Sequence, residues 1–333
     1  MGEHAAVYRR PALVATVGLM TEVVIEASSD SGVAAELVNL DRTCVWRSQD
    51  ISRFTEQARR RWHAYVADPN ADRLDQLVER GGAERLVQLA IGEAAQASGI
   101  VPSGVRLRIS SQLPLGAGMG SSASVASAIV GAWMAFHGES IDAGRVADIA
   151  LEVERRQHGS PSGVDHQTVI QGGVVWAVPE GGQGQVAVEP VALEAGLDLA
   201  IVDTGSPQQS TGAVVEAVRD QVGGERYPGW NRMQLLTEDF RRRLEVGEDP
   251  LPVVRSYHQE MQQLGIVPTE VADWIGTWQD GGGAAKLSGA GATVGKRAGC
   301  LLAFPDGEDL KIPSSWNHYR TALGVPGLVI ETC

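Results

Sequence analysis

Cysteine is scarce in this 333-residue chain: Cys44, Cys300 and Cys333 are the full set, an odd number, widely spaced and without a Cys-x-x-Cys pair. Neither a disulfide framework nor a thiolate zinc site is expected, and a reducing, cytoplasmic compartment is. No run approaches the roughly 20 continuous apolar residues of a membrane span. The N-terminus lacks the charged-then-apolar pattern of a signal peptide. Positive charge is also short, with 28 Lys and Arg against 41 Asp and Glu and a formal net charge of −13. A protein held to nucleic acid by phosphate neutralisation is therefore not expected, nor is a membrane partner. An anionic ligand would need local compensation from backbone N–H groups, a metal ion or a few placed cations. No repeat or low-complexity tract is present.

What the chain does have is apolar bulk, 43% of its residues, enough for one large or two medium domains without staples. Strands are expected over 13–17, 21–27, as a pair within 33–46, and over 105–109, 174–178, 197–202, 284–288, 299–304 and 327–330. Helices are expected near 51–66, 73–98 with a break at Gly81-Gly82, 121–135, 142–158, 210–222, 231–245, 252–264, 268–281 and 314–323. Gly159 ends one of them, and a hairpin tip falls at 179–185. Without a regular βαβ rhythm the pattern is α+β in two lobes, divided as 1–190 and 191–333. Arg59-Arg60-Arg61 sits in an amphipathic pattern with Phe54, Trp62 and Tyr65 and is expected on a solvated helix face.

The most informative stretch is Pro114-Leu-Gly116-Ala117-Gly118-Met119-Gly120-Ser121-Ser122-Ala123. Its alternate glycines leave backbone bare, and Ser121 and Ser122 then open an Ala/Ser/Val-rich helix. Free N–H groups of a first helical turn, together with the helix dipole, suit a phosphate; a tight turn before a core helix is the plainer alternative. Glu154 lies on a helix whose apolar positions are Val146, Ile149, Ala150 and Val153, and Asp165 follows past the Gly159 break. Mg²⁺ takes only one or two protein oxygens alongside phosphates and waters. Glu154 plus a loop serine would suffice, leaving Asp165 as a base; an ordinary surface glutamate is the alternative for Glu154. Lys286-Leu-Ser-Gly289-Ala290-Gly291 forms a second glycine turn. Within it, Gly291-Ala-Thr-Val-Gly295-Lys296 is one residue short of a Walker A loop and lacks the following Ser or Thr, so it is rejected as one.

Gly2-Glu3-His4-Ala5-Ala6-Val7-Tyr8 with Pro11-Ala12-Leu13, then Pro114 to Ala123, then Lys286 to Gly291 together resemble the three motifs of the GHMP small-molecule kinases. His158-Gly-Ser-Pro-Ser-Gly-Val-Asp165 with Gly172-Gly173 is similar to the mevalonate kinase family within them. The resemblance implies a ribosomal protein S5 domain 2-like N-terminal lobe, a ferredoxin-like C-terminal lobe and ATP between them. It implies that Pro114, Gly116, Ala117, Gly118, Met119, Gly120, Ser121 and Ser122 wrap the phosphates, that Ser122 and Glu154 hold Mg²⁺, and that Asp165 accepts the proton of a primary hydroxyl. Glu3, His4, Thr211, Gly289 and Ala290 would border the substrate. The implied partners are ATP and a small alcohol, with mevalonate favoured over a sugar because Ala5-Ala6-Val7 replaces the Thr-Asp of galactokinases; homodimer formation is left open. Alternatives are a phosphomevalonate or sugar kinase, or an impaired nucleotide-binding relative. A Pro-Gly-Lys strand precedes Gly-Glu-His in the family, and coding sequence upstream of Met1 is expected to supply it. Ala292-Thr293-Val294 and an insertion replace the family's glycine run in the third motif.

Overall fold

Apolar and basic residues alternate from Val105 to Ile109, and in a strand that alternation sends Val105, Leu107 and Ile109 inward and Arg106 and Arg108 out to solvent. The computed structural model describes residues 1–77, 82–114, 118–159, 161–180, 186–194, 197–304 and 311–331. After a short 3-10 turn at Ala5–Tyr8 come β1 (Ala12–Ala15), β2 (Thr21–Ala27), β3 (Val33–Leu37) and β4 (Arg42–Trp46). Next follow α1 (Ser48–Ala67), α2 (Ala71–Leu77), α3 (Ala83–Ser98), β5 (Val105–Ser111), α4 (Ser121–Phe136), α5 (Ala143–His158), α6 (Val164–Gln171), β6 (Val174–Pro179) and β7 (Val186–Val191). The chain continues through β8 (Asp198–Asp203), α7 (Thr211–Val222), α8 (Gly229–Val246), α9 (Leu251–Gln263), α10 (Thr269–Asp280), β9 (Ala284–Leu287), β10 (Cys300–Phe304) and β11 (Asn317–Ala322).

The first lobe carries a four-stranded sheet in the order β2-β5-β3-β4, parallel only between β3 and β5. Helices α1, α3, α4 and α5 cover it, and Trp133 and Met134 of α4 are fully buried at the centre of that core. At one edge, β2 turns Glu22, Val24 and Glu26 outward. The second lobe has the order β11-β8-β10-β9, antiparallel throughout, which in chain order is the 4-1-3-2 arrangement of a ferredoxin-like sheet. A three-stranded sheet, β1-β6-β7, joins the two: Leu13, Val174 and Trp176 pack with Phe240 of α8 and Val253 of α9. The expected two-lobed α+β architecture is the one observed.

Two elements differ from expectation. The segment read as a helix over 314–323 is β11, which gains a full ladder on β8 from Asn317↔Asp203 to Ala322↔Asp198; tertiary pairing outweighs the weak helical propensity of His, Tyr and Thr. The strand expected over 327–330 has no ladder, and these residues run as an extended segment across the first lobe. Of the hairpin tip expected over 179–185, residues 181–185 lie outside the described residues; Pro179 ends β6 and pairs with Val186, and β6 and β7 run antiparallel. Cys44 and Cys300 are free thiols.

The three consecutive arginines do not share one solvated face. Arg59 donates to both carboxylate oxygens of Glu93 at 3.1 and 3.2 Å. Arg156 reaches the same carboxylate from α5 at 2.8 Å, close enough for an ion pair though not aligned as a hydrogen bond, and also pairs with Glu152. Glu93 is only 1% exposed. Removing one partner of a buried pair strands the other charge, so Glu93→Gln is expected to lower stability by about 3 kcal/mol or more. The urea midpoint measures this, and an unchanged midpoint would mean that Glu152 alone suffices for Arg156.

Candidate active site

Helix α4 begins without a side-chain cap. Gly120 stands at its N-cap with φ 66° and ψ 24°, a left-handed conformation that glycine adopts without strain, and its carbonyl accepts from Ser124 N at 3.0 Å. The first-turn N–H groups at Ser121, Ser122 and Ala123 have no helical partner, and no acidic side chain occupies that turn. This is the electrostatic arrangement an anion completes. Gly116 and Ala117 lie outside the described residues; Pro114 is buried, and Gly118 is exposed.

The loop faces a cleft of about 1420 Å³ whose lining includes Glu3, Gly118, Met119, Gly120, Asp165, Lys286 and Gly289. A second cavity of about 890 Å³ lies on the other side of the α4 N-terminus and takes in Ser121 and Ser122, with Leu37, Leu86, Val87 and Ile109 as apolar walls and Asn39, Ser111 and Gln112 as polar groups. Asp165 occupies the first turn of α6. A Cβ placed on Gly120 would lie 3.8 Å from Asp165 Cγ, so the end of the glycine loop and this carboxylate are neighbours. The two glycine turns also meet, since a Cβ on Gly289 would be 3.6 Å from the Gly118 carbonyl oxygen.

Asp165 is exposed to water where it faces the cleft, and its inner side meets the Gly120 end of the loop. Burial pushes its pKa up to about 6, the negative charge of Glu154 adds to the rise, and His166 partly opposes it. Glu154 is nearly buried, at 4% exposed, with His166 Nδ1 at 3.3 Å from its Oε2. Among the described residues no cluster of three or more His, Cys, Asp or Glu side chains forms a metal centre. A buried carboxylate and a serine hydroxyl are nonetheless hard oxygen donors of the kind and number that suit Mg²⁺ when phosphates and waters complete the shell.

The opposite wall binds the chain's first residues to the third motif. Lys286, 1% exposed within the otherwise apolar β9, ion-pairs with Glu3 and donates to the Leu287 carbonyl at 2.6 Å. Its ammonium lies 5.6 Å from the Tyr257 ring centroid. The Tyr257 hydroxyl accepts from Gly2 N at 2.9 Å and donates to the Glu3 carbonyl at 3.2 Å. Burial alone would raise the Glu3 pKa, but the Lys286 charge and hydrogen bond bring it down to about 2. His4 is buried and donates from Nε2 to the Ala290 carbonyl at 2.9 Å, with its pKa lowered chiefly by burial. It therefore fastens the third motif, and neither it nor Ala290 lines the cleft. Thr211 is exposed in the first turn of α7 and lines neither cavity. In the altered third motif, Gln209 Oε1 accepts from Thr293 N at 2.9 Å and anchors the loop.

Lys286 and His166 escaped the sequence reading. A lone lysine inside Ala-Ala-Lys-Leu was the available signal for the first, because an unpaired lysine is almost never fully buried; nothing distinguished His166.

Residues 85–173 match the family described as GHMP kinases N terminal domain. A mevalonate kinase of Aeropyrum pernix is 28% identical over 249 residues, 72% of this chain and 74% of that protein. One of Thermococcus sibiricus is 26% identical over 346 residues, 98% of this chain and 90% of that protein. The crystal structure of L. major mevalonate kinase in complex with R-mevalonate superposes with a TM-score of 0.72 at 20% identity, covering 98% of this chain and 94% of that one.

Proposed function

We propose that this chain, whose residues 85–173 match the GHMP kinases N terminal domain, is an ATP-dependent kinase of that family that phosphorylates the 5-hydroxyl of (R)-mevalonate. The observation that carries this is the approach of Asp165 to Gly120, which sets a general base beside the end of a phosphate-type loop. The triphosphate lies on the α4 N-terminus, and the purine lies in the second cavity, whose apolar walls and few polar groups suit a base. The acceptor lies in the main cleft, where Ala12, Leu13 and Val14 offer aliphatic surface and Lys286 is the one basic residue among the described lining. Residues 1–190 are the ATP-binding domain and 191–333 the C-terminal domain in this proposal.

Ser122 and Glu154 would hold Mg²⁺, which when bound neutralises charge on the transferring phosphoryl group. Asp165 takes the hydroxyl proton, while the backbone of Gly118 and Gly120 keeps the γ-phosphate in line. A coupled ADP-release assay over mevalonate, phosphomevalonate and galactose tests the acceptor; turnover with galactose and none with mevalonate would overturn the choice. Glu154→Gln is expected to raise the Mg²⁺ concentration at half-maximal rate by about 10-fold or more, as loss of one carboxylate ligand should. An unaltered Mg²⁺ titration would remove Glu154 from the metal site.

A further inference from the structure

The segment that follows β11 leaves the second lobe's sheet and forms part of the wall of the main cleft, which Leu328 and Ile330 also line. Leu323 bridges Val17, and Gly324 N donates to the Thr16 carbonyl at 2.8 Å. The Val325 carbonyl accepts from Thr16 Oγ1 at 2.6 Å and from Gly173 N at 2.9 Å. Pro326 bridges Gly172, and Leu328 N donates to the Ile170 carbonyl at 3.2 Å, so the segment closes over the last turn of α6. A Cβ on Gly327 would run into the Ile170 carbonyl oxygen, which shows how tightly the two backbones are fitted.

Beyond α6 the same segment reaches α4. A Cβ on Gly131 would sit 2.8 Å from Ile330 Cδ1 and 3.1 Å from Leu328 Cδ2, so these two side chains fill the space a larger residue at 131 would need. Leu328 also packs on the first-lobe core. The segment thus touches both helices that build the site. Helix α4 presents the anion-binding N-terminus ten residues before Gly131, and α6 presents Asp165 five residues before Ile170. At 1.5 Å of rise per residue, these levers are about 15 and 7.5 Å long, short enough that a shift at the strap moves the reacting groups by a comparable amount.

We propose that Leu328, supported by Gly327 and Ile330, is a positioning residue that fixes α6 against α4 and so sets Asp165 opposite the glycine loop. The proposal rests on Asp165 and that loop being the reacting groups of a kinase. An Å-scale misplacement of reacting groups costs on the order of 100-fold in rate without comparable loss of binding.

In the full-length chain, Leu328→Ala is expected to lower kcat by about 10- to 100-fold while KM for ATP stays within about twofold, and Leu328→Ile to recover most of the rate. Amide hydrogen exchange, read on the protein without substrates, is expected to accelerate at the hydrogen-bonded amides of α6, from Thr168 to Gln171, by about 10-fold or more, with core amides of β5 unchanged. A folded Leu328→Ala protein with wild-type kcat and unchanged α6 exchange would overturn the proposal. A loss of rate that follows only the fraction of folded protein, with no rescue by isoleucine, would overturn it too. If the wild-type chain phosphorylates no alcohol, the kinase proposal fails by itself, and α6 exchange in Leu328→Ala still decides whether the strap holds that helix.

Discussion

Asp165→Asn is expected to reduce kcat by about 10²- to 10⁴-fold, the range a general base contributes, with nucleotide affinity retained because the α4 N-terminus is untouched. Stability should move the other way. The folded-state pKa of Asp165 is raised from 3.8 to about 6, so the folded protein holds this proton more tightly than the unfolded chain, and ionisation above that value works against folding. Asparagine removes that opposing charge, and thermal unfolding at pH 8 is expected at a slightly higher temperature than for the wild type, a small gain because the carboxylate is open to water on the cleft side, and one that vanishes as the pH falls towards 4. A base must be ionised to act, so the wild-type rate is expected to fall as pH drops through about 6. A cation bound at Glu154 would move that limb downward by favouring the ionised form. Retained turnover in Asp165→Asn would remove the residue from the mechanism.

Lys286→Met should produce the largest loss of stability among substitutions in the cleft. It leaves the largely buried Glu3 carboxylate with only the more distant Met1 ammonium at 3.9 Å as a partner, and breaking a buried pair costs about 3 to 5 kcal/mol. Adding Glu3→Gln removes the stranded charge, so the double variant is expected to recover much of the loss; a double-mutant cycle in urea measures the coupling, and purely additive effects would deny it. The pH dependence follows from the Glu3 pKa, which folding lowers from 4.5 to about 2. That pair contributes fully above about pH 4.5, and its contribution fades as the pH falls towards 2.

How far these residues could be read before folding depends on whether their chemistry shows locally. The glycine loop, Glu154 and Asp165 stood out because bare backbone, a glycine break and carboxylates on short elements each carry a local signal. The ferredoxin-like order of the second lobe followed from the family resemblance and not from the pattern of its strands. Lys286 gave little sign because its meaning depends on Glu3, 283 residues away. Ser314 looks like a helix start, yet Asn317–Ala322 pairs with β8, a partner no local window contains. The apolar run Leu328-Val329-Ile330 reads as a strand, but packing against Gly131 occupies it instead. Long-range partners decided each case that the local pattern missed.

The outward residues of β2 bear on self-association. Two copies joined edge to edge through this strand, antiparallel and centred on Val24, would set Glu22 of each directly opposite Glu26 of the other. Like charges facing across a ladder repel, and charged side chains on an open sheet edge discourage intermolecular pairing. On a chain that already carries −13, continuous sheet growth through that edge is disfavoured.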